Sequence, residues 1–249
     1  LGDVYKRQTD EANRPVVAVS FEQISSGEVF TAVSVHFKSK GSIAQGDGNE
    51  DLGDGAGNSN GQRTREAQAV VDWLETDPTN SNDTDVIVLG DLNAYSMEDP
   101  LMVFRDAGYT NLVGTDDYTY QFRGQFGSLD HALVSDSMLF PITSASPWHI
   151  NSDEPVALTT GNYRYAQNPE NYYSADAFAS SDHDPIVVGL DFSKPDQPFG
   201  FVDGVASGDP YTDSVILWTR YSPLSSSEID FSRNVSWEIS TNDNFSEII

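Results

Sequence analysis

Residues 86–89 read Val-Ile-Val-Leu, four apolar side chains in succession with no polar position among them. Alternate side chains of a strand face opposite ways, so a strand written like this has to be covered on both faces. It belongs in the middle of a sheet with a layer on either side. The run stops abruptly in "GDLNA", residues 90–94. Asp91 and Asn93 stand two positions apart, so their side chains emerge on one side if the extended geometry continues. Gly, Asp and Asn are also ordinary turn residues, and a turn with no chemistry would read the same way.

The rest of the chain supplies those layers. Ala67, Val70, Val71 and Leu74 recur at helical spacing and predict a helix over residues 62–75. A second, shorter helix is expected over 100–107, closed by Gly108. Strands are expected at 15–22, 28–37, 85–89, 118–122, 128–135, 142–150 and 185–192, where β-branched and aromatic residues concentrate. Helices interleaved with buried strands make this a layered α/β (α+β) domain. In the second strand Val33, Val35 and Phe37 share one face while Ser34 and His36 share the other, which puts His36 opposite the more apolar face, near the strand end.

Residues 41–61, "GSIAQGDGNEDLGDGAGNSNG", have no apolar periodicity. Asp47, Asn49, Asp51 and Asp54 approximate the spacing of a calcium loop, but Leu52 stands where the sharp turn needs glycine, and Asn58 replaces the closing glutamate. A flexible acidic loop is the expected reading. Arg63 and Arg65, in the first turn of the helix that follows, are candidate contacts for substrate phosphates, or plain solvated residues.

Charge narrows the chemistry. Thirteen basic residues against 39 acidic ones give a net charge of -26, which repels polyanions at long range. Work on a nucleic acid would need bound divalent cations or a locally positive groove. The chain has no cysteine, which excludes disulfides, thiol nucleophiles and zinc-thiolate sites. Its apolar runs are only a few residues long, far below the roughly 20 that span a bilayer. No obligate protein partner is evident.

Two further stretches carry polar groups inside apolar strands. "GSLDHALVS" puts Asp130 mid-strand with Leu129 and His131 on the opposite face, and a carboxylate there needs a partner. "ASSDHDPIVVGLDF" offers one: His183 is a base beside the metal-binding carboxylate of Asp182, and Asp130 could accept its other N–H and fix the tautomer. Alone, "SDH" reads better as a surface loop. His131 and His149 read as structural, and Trp73 and Trp148 as core.

Taken in order, "VHFKS", "GDLNA", "LDHAL" and "SSDHDP" resemble the endonuclease/exonuclease/phosphatase family, the deoxyribonuclease I-like fold, over roughly residues 12–192. The likeness extends to "WHINSDEP" and is nearest to bacterial extracellular nucleases. It implies the C-terminal part of a four-layer α/β/β/α sandwich and metal-assisted phosphodiester hydrolysis in a secreted protein, with nucleic acid as substrate and Mg²⁺, Ca²⁺ or Mn²⁺ as cofactor. By that likeness His36, Asp91, Asn93, Asp130, Asp182 and His183 fall on catalytic positions. Asp182 would be the metal ligand and His183 with Asp130 the water-activating base, with Asp91 of "GDLN" as the competing base. His36 would donate toward the phosphate or leaving oxygen, Asn93 would orient phosphate or nucleophile, and Asp91 would position water. The family's metal-binding glutamate comes from an N-terminal half missing here, so the fragment is expected to be inactive alone.

The scaffold also serves sphingomyelinases and inositol phosphatases, so a non-nucleic-acid phosphodiesterase is the first rival. A calcium-dependent binding module is the second. At the ends of the chain, "DVYKRQ" within residues 1–8 resembles a translated sequencing adapter, and residues 9–193 form the main domain. Residues 194–198 read as a linker. "GVASGDPYTDSVILWTR", within 199–249, resembles the β-sandwich domain that precedes the catalytic domain of PhoD-type alkaline phosphatases. The parent would then join a nuclease to a phosphatase for phosphate scavenging.

Overall fold

The computed structural model describes residues 3–6, 14–155, 158, 176–192, 205–208, 214, 216–219 and 240. A six-stranded sheet organises the main domain. Its strands are β1 (Asp3–Lys6), β2 (Val16–Glu22), β3 (Val29–His36), β4 (Val86–Asp91), β5 (Thr110–Asn111) and β8 (Asp130–Val134), in the order β1-β2-β3-β4-β8-β5. The residues set aside as adapter-like thus lie as β1 along the open edge of β2, where unpaired N–H and C=O groups accept an added strand. Between β5 and β8 stands a small hairpin of β6 (Tyr120–Phe122) and β7 (Gln125–Gly127).

The apolar strand sits where its composition demands. β4 runs parallel to β3 and antiparallel to β8. Val88 lies in one buried cluster and Val86 packs against it, while Ile87 lies in a second cluster that Leu89 packs against. The first cluster is roofed by helices α1 (Asn60–Leu74) and α2 (Asp99–Asp106), which contribute Ala67, Val70, Val71, Leu101 and Phe104. Over the second lies the two-stranded sheet of β9 (Ile142–Pro147) and β10 (Ile186–Leu190), through Ile142, Ala145, Ile186 and Val188. The described domain therefore layers as helix, sheet, sheet. Among the described residues no helix is long and apolar enough to cross a membrane.

Local chemistry explains the ends of these elements. α2 closes in a Schellman arrangement: Gly108 at φ +87° donates to Arg105 O and Tyr109 N to Phe104 O, with the Phe104 and Tyr109 rings 5.6 Å apart. β4 continues past the expected residue 89 through Gly90 and Asp91. Gly90 makes this possible. It sits at φ +140°, and a Cβ there would lie 2.0 Å from the carbonyl oxygen of Val35, so no other residue lets β3 and β4 stay paired to their ends.

The loop over residues 41–61 is more ordered than its sequence suggests. Asn49, nearly inaccessible, donates to the carbonyls of Ala44, Gln45 and Gly46 and accepts from Gln62 N. Asp51 and Asp54 cap the backbone N–H of Gly53 and Ala56. The loop is held by side chain to backbone hydrogen bonds, where its sequence suggests a flexible acidic segment.

Arg63 is its anchor, and the reading of Arg63 as a phosphate contact is wrong. The side chain is fully buried and donates to the carbonyls of Lys38, Asn58 and Ala56 at 3.3, 2.7 and 2.8 Å, beside Glu98 at 3.8 Å. An arginine buried in the interior, with both terminal nitrogens donating to backbone carbonyls, has no free face for a substrate. Arg65 is exposed and donates to Asp47 O and Gln62 Oε1.

At the C-terminus, β11 (Val205–Gly208) and β12 (Ile216–Thr219) pair antiparallel, as short strands in that region were expected to. The linker at 194–198 and most of the stretch read as a β-sandwich, 199–249, lie outside the described residues.

Gly90→Ala is expected to destabilise the domain by roughly 3 kcal/mol or more, because the clash is with backbone. Gly53→Ala, at φ +74° with no atom within 4 Å of its Cβ, should lose only about 1 to 2 kcal/mol. Urea unfolding of the two variants checks the contrast.

Candidate active site

The sheet's register builds the site. His36 is the last residue of β3 and pairs with Asp91, the last of β4, which in turn pairs with Asp130, the first of β8. Residues paired across a sheet project to the same face, so an imidazole and two carboxylates stand in a row at one end of it. They are on the side of Ile87 and Leu89, facing the β9–β10 layer. From that layer, just ahead of β10, comes His183.

The distances are short. His183 Nδ1 is 2.7 Å from Asp130 Oδ2, and His36 Nε2 is 3.4 Å from Asp91 Oδ2. Ligand atoms of Asp91, Asp130 and His183 all lie within 4.8 Å of one another, the one such grouping of potential metal ligands among the described residues. Asp182 is exposed at the rim and does not join that group.

Hydrogen bonds fix each group. Asn93 does not continue the strand: it turns left-handed at φ +48°, and there its backbone N–H donates to Asp91 Oδ1 while Nδ2 donates to Asp91 Oδ2 and Phe37 O. The amide so committed aims the Asp91 carboxylate. Because carboxylates accept, Nδ1 of His183 carries the hydrogen facing Asp130, and Nε2 keeps a free lone pair. The backbone of His183 is held by Asn151 Nδ2 on its carbonyl and by a bridge to Tyr120, whose ring centroid lies 4.5 Å from the imidazole. Buried Thr119 Oγ1 accepts from Leu129 N and Asp130 N.

Electrostatics follow from this crowding. Burial and the facing Asp130 charge push the Asp91 carboxyl up to about 6. Burial lowers His36, as do the charges of Arg14 and His183. At His183 burial acts downward, but the Asp130 hydrogen bond and the charges of Asp130, Asp91 and Asp182 prevail, so the imidazole titrates above its ordinary value. Two carboxylates held this close repel until a proton or a cation lies between them. A set of hard oxygens with one imidazole and no sulfur fits a divalent cation such as Mg²⁺, Mn²⁺ or Ca²⁺.

Several contributors were not found from sequence. Arg14 is exposed just ahead of β2, and its charge acts on both His36 and Asp91. Asp184 is the other: almost inaccessible, it accepts from the N–H groups of Ile150, Asn151 and Ser152, from Ser152 Oγ and from His149 Nδ1 at 2.9 Å. The "WHINSDEP" and "SSDHDP" stretches are therefore two halves of one latch. His149 is structural as expected, and so is His131, buried between Ala94 O and Asn111. Trp148 is 55% exposed and not core.

A family model described as Endonuclease/Exonuclease/phosphatase matches residues 8–183, most of the chain. The chain belongs to that family. A second model, the N-terminal domain of PhoD-like phosphatases, matches residues 189–249. No curated protein sequence matches.

Among solved structures, an endonuclease/exonuclease/phosphatase from Bacteroides vulgatus is 15% identical, covers 72% of this chain and 55% of its own, and has a TM-score of 0.46. A mannosyl-6-phosphatase from Bacteroides thetaiotaomicron is 18% identical, with 77% and 65% covered and a TM-score of 0.47. A beta toxin variant from Staphylococcus aureus with bound magnesium ions is 18% identical, with 71% and 57% covered and a TM-score of 0.44. This chain thus spans 55% to 65% of the length of these three structures.

Burial pushes the Asp184 carboxyl up, but its hydrogen bonds from His149, Ser152 and the backbone outweigh that, leaving it below the ordinary 3.8. A depressed folded value means stability that is fully present above 3.8 and lost as pH falls through the folded value. Asp184→Ala should therefore cost roughly 3 kcal/mol at neutral pH, with the gap from the native protein narrowing in strong acid. Thermal unfolding across pH 2 to 7 reads this directly.

Proposed function

We propose that this chain carries the active site of a divalent-metal phosphodiester hydrolase, an extracellular nuclease acting on DNA or RNA. The observation that carries the reading is the row His36, Asp91, Asp130 closed by His183, whose Nδ1 is held by Asp130 beside a second carboxylate. Asp91, facing Asp130, would hold the cation, and the exposed Asp182 lies outside that grouping. When bound, the cation would place positive charge on the phosphoryl oxygens as negative charge shifts there.

The chain's own groups do the rest. His183 Nε2 takes a proton from the attacking water, and Asp130 holds the Nδ1 hydrogen and steadies the resulting imidazolium. His36 donates toward the phosphate or the leaving oxygen. Arg14, exposed and with its charge acting on His36, supplies a phosphate contact in the place first given to Arg63, and Arg65 is a second exposed candidate. Asn93 acts through Asp91 and so positions it.

In the full-length gene product, His183→Ala and Asp130→Asn should each lower hydrolysis of plasmid DNA or RNA by about 10² to 10⁴. Chelation should abolish the activity and Mg²⁺ or Mn²⁺ restore it. Sphingomyelin and inositol phosphates run in parallel distinguish the first rival, and turnover of either without cleavage of DNA or RNA contradicts the nuclease reading. The match to the PhoD-like domain supports a parent that releases phosphate from the cut ends. Inorganic phosphate produced from DNA by the full-length protein is the expected outcome.

A further inference from the structure

Next to His183 the β6–β7 hairpin exposes rings that the chemistry above does not use. It turns at Arg123 and Gly124, both at positive φ, 52° and 80°, the geometry of a two-residue hairpin turn that follows the twist of its strands. Its base is fixed: Gly127 lies so close to the Tyr95 ring that a Cβ would meet it at 2.6 Å, and Thr119 anchors the strand that follows. The hairpin is thus a firm projection beside the reacting groups.

Along β6, Tyr120 and Phe122 share one face. Tyr120 lies 4.5 Å from the His183 ring, Phe122 is 6.4 Å further with its ring plane only 14° from that of Tyr120, and the Arg123 guanidinium stands 5.1 Å from the Phe122 centroid. Phe122 is 51% exposed. The order is therefore imidazole, phenol, phenyl, cation, leading outward from the site.

We propose that this strip is a binding subsite for single-stranded nucleic acid on one side of the scissile phosphate, with a base stacked on Phe122 and Arg123 meeting the backbone phosphate. The inference rests on the nuclease reading and names its substrate form. Base stacking on aromatic rings is sequence-tolerant and needs no hydrogen-bond readout. In a chain of net charge -26, a guanidinium fixed over the ring is where a polyanion can approach. The alternative occupant, a lipid surface, fits less well: the projecting tip is Arg123–Gly124, closed by the Phe122–Gln125 pair, and the charged tip would have to enter the apolar layer ahead of Phe122 and Phe126.

The test is binding in the presence of chelator, so that no cleavage occurs, with the full-length protein and fluorescence anisotropy. The probes are a ten-residue oligothymidylate and an abasic deoxyribose-phosphate chain of the same length. Phe122→Ala is expected to weaken the oligothymidylate about tenfold and leave the abasic chain unchanged, while Phe122→Trp restores binding. Arg123→Asn, which tolerates the positive φ, should weaken both probes and lower the salt slope by about one. Equal affinity of native protein and Phe122→Ala for oligothymidylate overturns the proposal, as does absence of binding. So does loss of binding to sphingomyelin vesicles in Phe122→Ala with oligothymidylate binding intact. Base-dependent binding by a protein that cuts no diester would sustain the subsite and refute the hydrolase reading alone.

Discussion

The lateral registration of three strand ends is the constraint on which everything else depends. β3, β4 and β8 finish together, and because paired residues project to the same face, their terminal residues His36, Asp91 and Asp130 become neighbours without any loop to position them. Keeping three ends in step requires β3 and β4 to stay paired through Gly90, where a side chain would strike the Val35 carbonyl. The same pairing sets two carboxylates against each other, which burial alone would penalise; a site that raises Asp91 to about 6 holds stored electrostatic demand for a cation or a proton.

The fourth group arrives by a different device. His183 is on a segment with no regular secondary structure, yet it is firmly placed, because Asp184 buries its charge in a nest of N–H groups from residues 150–152 and Thr119 O accepts from Asp184 N. One turn of chain thus contains an exposed aspartate, an imidazole directed at Asp130, and a buried aspartate that fastens the loop. Three adjacent polar residues of similar appearance do three unrelated jobs, divided by burial.

That division marks how far the sequence could be read. The apolar run at 86–89 called for a doubly covered strand and the structure provides one, and the alternation Ser34, His36 against Val33, Val35 put His36 on the correct face. The helices and most strands lie where periodicity located them, within a few residues. What failed was anything decided by a long-range contact. Arg63 looks like an exposed helix-start residue until the loop of 41–61 closes over it, and that loop looks unstructured because its order comes from side chain to backbone bonds, which leave no periodic signature. Arg14 and Asp184 were invisible for the same reason. The residues that carry the family resemblance were legible as candidates, but only the strand register shows which of them meet.

His36 and His183 border one pair of carboxylates that would hold the cation, while the other two histidines lie away from it. Following the imidazole ¹⁵N signals of all four histidines during a Mg²⁺ titration tests this arrangement most directly. The His36 and His183 signals are expected to move together and saturate at one apparent affinity, with His131 and His149 unchanged. Signals of His36 and His183 that stay still, or four signals that drift alike, would contradict it.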